Sequence, residues 1–106
     1  MDKKLYITIV RGQLKSESIE ENKKVHDMIF KPLQEFGRSL SAIGHKVYLN
    51  PQNPKEFLAI DTWTTLEGPQ KLFSDPKVGE EFSKLFESTP EVTFWGESDW
   101  AGFYDK

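Results

Sequence analysis

Cysteine is absent from this chain of 106 residues. Its absence excludes disulfides, thiolate metal ligands, CxxC redox chemistry and a cysteine nucleophile together, and it fits a reducing compartment. Histidine is scarce: only His26 and His45 occur. They form no H-x-H or H-x-x-x-H spacing, so a zinc or iron site would need carboxylates to converge, and no metal site is expected. No long hydrophobic run is present. The apolar stretch from Leu5 to Val10 is too short for a signal peptide or a bilayer span, so a soluble, cytoplasmic protein without a membrane partner is expected. Positive charge is not in excess: 14 Lys and Arg stand against 17 Asp and Glu, a net charge of −3. The two signs are interspersed. Such a surface repels phosphate backbones, so nucleic acid is not an expected partner. Neither G-x-S-x-G nor G-x-x-x-x-G-K occurs, which removes the nucleophile elbow and the P-loop.

What is present is one domain, residues 1–106, rich in large rings: 8 Phe, 3 Trp and 3 Tyr. In a domain this small, so many rings pack a core, line a cavity or bury themselves against another subunit. Leu5–Arg11 is β-rich and bulky on both faces, with Leu5, Ile7 and Ile9 alternating against Tyr6, Thr8 and Val10. Ser16 or Ser18 caps the next element, with Glu20 and Glu21 in its first turn. Val25, Ile29, Leu33, Phe36 and Leu40 then follow helical spacing. Pro32 removes a backbone donor inside this pattern and predicts a kink or split near Phe30-Lys31. His45–Leu49 reads as a second strand. Asn50–Pro54 reads as an exposed turn, and Glu56–Trp63 as a third strand with Phe57, Ala59, Asp61 and Trp63 on one face. A helix from near Thr64 breaks at Ser74 and restarts with Asp75 as cap and Pro76 at its first position. Glu91–Gly96 is a fourth strand, followed by a tail holding Trp100, Phe103 and Tyr104. The order β-α-β-β-α-β is the ferredoxin-like α+β topology, an antiparallel sheet with helices on one face. Its second face is too apolar to leave in water, and a two-fold dimer packed sheet against sheet would cover it.

The stretch FLAIDTWTTLEGPQKLFSDP, Phe57–Pro76, adds a resemblance. An acid, one spacer and Trp end strand three, and an Asp-Pro helix restart follows at a fixed distance. In this register Asp61, Trp63, Asp75 and Pro76 resemble the antibiotic biosynthesis monooxygenase family of dimeric α+β barrels. The resemblance implies a homodimer with a cavity in each subunit between sheet and helices. It also implies, for some members, oxygenation of aromatic or quinol substrates with molecular oxygen and no cofactor. The chain departs from the family's active patterns. Leu72 stands where members commonly carry a histidine. Haem-degrading relatives resemble an Asn on strand one and a Trp/His pair on the second helix, and here there is no such Asn, and Lys71 and Glu81 occupy the helix positions.

Candidate residues each carry two readings. His26, beside the helical stripe, is either a general base facing a cavity or a half-exposed flank residue. His45 either faces the same space or caps the sheet edge. Asp61 shares a strand face with Phe57 and Trp63. It is paired, or hydrogen-bonded to an indole, or a base with an altered proton affinity, or else a sheet-end cap. Trp63, Tyr6, Tyr48 and Trp95 are candidate walls for an aromatic or hydrophobic ligand. Arg11 would neutralise an anionic substrate or make a surface ion pair. The expectation is a small cofactor-independent monooxygenase-like enzyme with His26 and Asp61 in catalytic roles. The alternative is a non-catalytic dimeric module that binds a small ligand.

Overall fold

The structure, a computed structural model, describes residues 4–100. Seven elements follow in order: β1 (Tyr6–Gln13), α1 (Ile19–Ser39), β2 (Ala42–Asn50), β3 (Asn53–Trp63), α2 (Glu67–Ser74), α3 (Pro76–Phe82) and β4 (Glu91–Gly96). The strands form one antiparallel sheet in the order β2-β3-β1-β4. This is the ferredoxin-like arrangement expected from the sequence, with the second helix divided in two. No helix among the described residues is long and apolar enough to cross a membrane. Of the aromatic tail, Trp100 is exposed, while Phe103 and Tyr104 lie outside the described residues.

Sheet register decides which residues meet the helices. Tyr6, Thr8, Val10 and Gly12 of β1 stand opposite Trp63, Asp61, Ala59 and Phe57 of β3. Directly opposed residues project to the same face, so these eight share one face. Its core members Val10, Phe57, Ala59 and Trp63 are buried. The other face carries Ile7, Ile9, Leu58 and Ile60, all half-buried although no helix among the described residues covers them. Thus the helix-covered side is the one holding Asp61, and the apolar uncovered side is its alternate.

Local chemistry explains the helix ends. The Ser18 hydroxyl accepts from the Glu21 N–H at 3.1 Å at the start of α1, and Glu20 and Glu21 sit in the first turn, where the dipole favours acids. Buried Asn22 ties the preceding loop to the helix: its amide donates to the Ser16 carbonyl at 2.8 Å and its Oδ1 accepts from the Ser16 N–H at 3.3 Å. Asp75 caps α3 by accepting from the Lys77 N–H at 2.9 Å, with Pro76 in the first turn. The split anticipated at Pro32 does not occur, and α1 runs through it as one helix. Both Pro32 and Met28, whose carbonyl loses its partner, are exposed, so water can satisfy the orphaned acceptor. Phe36, read as part of the buried stripe, is partly exposed. Gly37 takes the inward position instead.

One close approach joins the two ends of the helical layer. The turn after α1 carries Ser41 at φ 93°, a left-handed conformation that a side chain disfavours. It is held by the Thr64 N–H on the Ser41 carbonyl at 3.1 Å and by the Ser41–Thr65 hydroxyl contact at 2.8 Å. The start of α2 packs directly onto this turn. A Cβ on Gly68 would lie 1.7 Å from the Leu40 carbonyl oxygen, so only glycine fits. We therefore expect Gly68→Ala to destabilise the fold by about 3 kcal/mol or more, at the upper end of overpacking effects. Urea denaturation checks this, and a midpoint equal to that of the parent chain would show that the helical layer yields freely.

Candidate active site

The centre of the helix-covered face is polar. β2 and β3 place His45 directly opposite Asp61, and His45 Nδ1 hydrogen-bonds the Asp61 Oδ1 oxygen. An ionised carboxylate only accepts, so His45 Nδ1–H is the donor and its Nε2 is turned away from the acid. From α1, His26 reaches that nitrogen, with Nε2 to Nε2 at 3.1 Å. His26 Nδ1 in turn contacts Asp27 Oδ1 at 3.0 Å, and the second Asp27 oxygen accepts from Lys23 Nζ at 3.0 Å. Four side chains thus form a continuous chain, Asp61–His45–His26–Asp27. The first three are mostly buried, at 16%, 21% and 17% side-chain exposure, whereas Asp27 is 56% exposed. The His26 hydrogen bond, and then that of Lys23, hold the Asp27 carboxyl below the usual carboxylate range.

Neighbouring rings fix this geometry. Phe30, one turn after His26, stacks on His45 with ring centroids 4.1 Å apart. On the far side of Asp61, fully buried Thr8 accepts the Trp63 indole N–H at 3.1 Å. The indole is therefore satisfied by Thr8, and Asp61 is satisfied by His45.

These groups border a cavity of about 200 Å³ between the sheet and the helices. His26, His45, Asp61 and Gln34 are its polar members. Apolar walls come from Phe30, Ala59, Trp63, Leu72, Phe73 and Phe82, and exposed Arg38 stands at the rim. The space exceeds the roughly 150 Å³ that accommodates benzene in an engineered apolar cavity, and lies below the ~300 Å³ of ordinary ligand pockets. It suits a small molecule of one or two rings. Among the described residues no group of three or more His, Cys, Asp or Glu is placed to hold a metal ion.

Of the residues singled out in the sequence, His26, His45, Asp61 and Trp63 come together at this cavity. Tyr6 shares the face but packs against the cluster of Trp63, Leu72 and Val78 rather than bordering the space. Tyr48, Trp95 and Arg11 do not line it. Register places them on the uncovered face, opposite Leu58, Ile7 and Leu58 respectively. Tyr48 and Trp95 are about half exposed, and Trp95 Nε1 donates to the Thr93 hydroxyl at 2.8 Å. Arg11 is a surface cation paired to Glu56 at 2.8 Å. The cavity's own cation is Arg38. Arg38, Phe30 and Asp27 were not picked out as site residues from the sequence, which offered Phe30 only as a kink point and Asp27 only as part of the polar face, although His26, Phe30, Gln34 and Arg38 recur every fourth residue along α1. An aliphatic stripe draws attention to Val25 and Ile29, and the mixed stripe beside it is the one that meets the cavity.

No family model matches the sequence, and no curated protein matches it. Solved structures do. A protein from Bordetella bronchiseptica assigned to the antibiotic biosynthesis monooxygenases aligns with TM-score 0.70 at 13% identity, over 89% of this chain and 97% of its own. A second, from Nitrosomonas europaea and assigned likewise, aligns with TM-score 0.66 at 14% identity, over 98% and 95%. SnoaB, a cofactor-independent oxygenase from Streptomyces nogalater, aligns with TM-score 0.64 at 11% identity, over 98% and 100%. At these identities the likeness carries the fold. It is the fold of antibiotic biosynthesis monooxygenase structures, the same family that Phe57–Pro76 resembles.

Arg11 and Glu56 provide a control outside the site. Arg11, and then Asn50, hold the Glu56 carboxyl below its ordinary value. A depressed acid contributes stability that is present above its unfolded-state pKa and lost as pH falls through the folded value. Glu56→Gln should therefore narrow its stability gap to the parent chain as pH drops from 7 toward 3. Chemical denaturation at several pH values checks the sign, and ligand binding in the cavity should be unaffected.

Proposed function

We propose that the protein is a small cofactor-independent monooxygenase-like enzyme acting on an aromatic, quinol-type molecule. The observation that carries this reading is the Asp61–His45–His26 chain, which brings a carboxylate and two imidazoles to the wall of an otherwise apolar cavity of one- to two-ring size. His45 occupies one Asp61 oxygen, and the second is available to a substrate hydroxyl. Proton transfer to Asp61 leaves an electron-rich phenolate between Phe30 and Trp63. That anion is the reductant for molecular oxygen. A C–O bond forms at a ring carbon that bears hydrogen to give a peroxide, and a proton returned from the same groups makes the hydroperoxide. That carbon then loses its C–H proton as the O–O bond breaks, and the departing hydroxide takes up a proton, yielding a carbonyl and water. The protein supplies position, exclusion of water and a matched proton acceptor. The neighbours' fold supports this reading, as does the description of SnoaB as a cofactor-independent oxygenase.

A second reading rests on Leu72, which is buried in the cavity wall where the resembled family commonly has a histidine. An aliphatic group there suits a dimeric module that binds a small hydrophobic ligand without reaction. Oxygen uptake over a panel of quinols and anthrone-like phenols separates the two. For the enzyme, His26→Ala and Asp61→Asn should each lower turnover by roughly 10²-fold or more. No uptake with any panel member, or uptake indifferent to both changes, would leave the binding module.

Either reading includes a homodimer. Ile7, Ile9, Leu58 and Ile60 form an apolar strip on the uncovered sheet face, and a second copy packed across it would remove that strip from water. Ile9→Lys with Ile60→Lys should convert a dimer to a monomer in light scattering. A monomeric parent chain at micromolar concentration would contradict the assembly.

A further inference from the structure

We infer that Asp61, His45, His26 and Asp27 act as one proton relay, sharing a single imidazolium charge and exchanging protons with solvent at Asp27. Asp27 is then a positioning residue for the cavity's proton chemistry, acting through His26. The number of protons in the chain of contacts is fixed by its hydrogen bonds. Three contacts link the four side chains: Asp61 to His45, His45 to His26 at 3.1 Å, and His26 to Asp27 at 3.0 Å. Each contact needs one proton, and ionised carboxylates bring none. All three protons must sit on the four ring nitrogens. Two neutral rings carry two, so the pair holds one extra proton and one positive charge. With one proton fewer, one contact is left empty: either a bare ring nitrogen faces a carboxylate oxygen, or the two bare Nε2 atoms face each other lone pair to lone pair at 3.1 Å. With one more, two N–H groups collide across 3.1 Å.

The ring geometry supports sharing. The His26 and His45 planes differ by 11° and their centroids lie 5.3 Å apart. That separation is close to the N···N distance plus the two ring radii, so the rings meet edge to edge and the proton lies along the line between them. The same alignment argues against a metal held by the two Nε2 atoms, because their lone pairs point at each other and not at a third point. Among the described residues, charged groups near the relay come from α1 and the sheet. α1 contributes Lys23, Asp27 and, at the cavity rim, Arg38; the sheet contributes His45 and Asp61. α2 and α3 face the cavity with Leu72, Phe73 and Phe82. Asp27 is the member open to water.

The relay balances a deprotonation inside the cavity. A substrate hydroxyl gives its proton to the Asp61 carboxylate and becomes an anion. The His26 imidazolium releases its Nδ1 proton to water by way of Asp27 and becomes neutral. One proton enters at the inner end, a different one leaves at the outer end, and the reverse sequence returns a proton to the peroxide. This turnover role rests on the oxygenation reading, whereas the shared charge does not.

Nitrogen-15 NMR of the two histidines at neutral pH tests the relay without any substrate. The parent chain should show three protonated ring nitrogens of four, Asp27→Asn should show two, and Asp27→Glu should restore three. Asp27 is exposed, so neither variant should disturb folding. Two or four protonated nitrogens in the parent chain, or an unchanged count in Asp27→Asn, would overturn the inference. Where oxygen uptake is measurable, Asp27→Asn should lower it about tenfold in dilute buffer, less than loss of the base itself, and added acetate should restore it. A loss insensitive to acetate, or no loss, would count against the relay. A parent chain without oxygen uptake would count against the oxygenation reading alone, and the NMR count would still decide.

Discussion

Asp61 is a carboxylate on the covered face of a central strand, between buried Ala59 and Trp63. An acid in such a place has to be compensated, because an unpaired buried charge is far more costly than any packing it replaces. The structure compensates it from the neighbouring strand, through His45. That choice has consequences. Once His45 donates to Asp61, its second nitrogen needs a partner, and α1 must pass close enough to supply His26. Once His26 is engaged, its own outer nitrogen turns to Asp27 at the surface. The placement of α1 over β2 and β3 is thus tied to the compensation of a single acid, and the cavity is the space left beside the chain of contacts.

The apolar surroundings give those contacts their chemical weight. Phe30 stacks on His45 and Trp63 closes the wall beyond Asp61, so a bound ring would meet the polar groups in a water-poor space where hydrogen bonds to charge are strongest. The Trp63 indole is held by Thr8 and not by Asp61, which leaves the carboxylate free of that demand. The wall at Leu72 contributes no polar group, and the titratable side chains are confined to one side of the cavity, where α1 crosses the sheet.

Much of the fold was readable because local signals agree. Alternation in Phe57–Trp63, the Asp75-Pro76 restart and the Ser18 cap each follow from nearest neighbours in sequence. The joining of His26, His45 and Asp61 was not readable in the same way. It depends on a register across β2 and β3 that is shifted between Ala42 and Gly44 and again between Leu49 and Asn50, and a single-residue slip would send His45 to the opposite face. The β2 register likewise allowed Tyr48 to be considered beside Asp61, and Arg11 and Trp95 were considered because the sequence does not say which sheet face the helices cover; strand alternation turns all three away. At Pro32 the split, one of the two outcomes expected there, fails for a different reason. The proline's local penalty is real, but tertiary packing of Ile29 and Leu33 on the inner side keeps the helix continuous where solvent can serve the freed carbonyl.

The central claim is that this cavity takes a proton from a bound phenol at Asp61. Absorption spectroscopy of a chromophoric phenol, titrated with protein in the absence of oxygen below the phenol's own pKa, tests it most directly. The account predicts the spectrum of the bound phenolate with the parent chain and of the neutral phenol with Asp61→Asn. A neutral bound phenol in the parent chain, or the anion in both proteins, would contradict it.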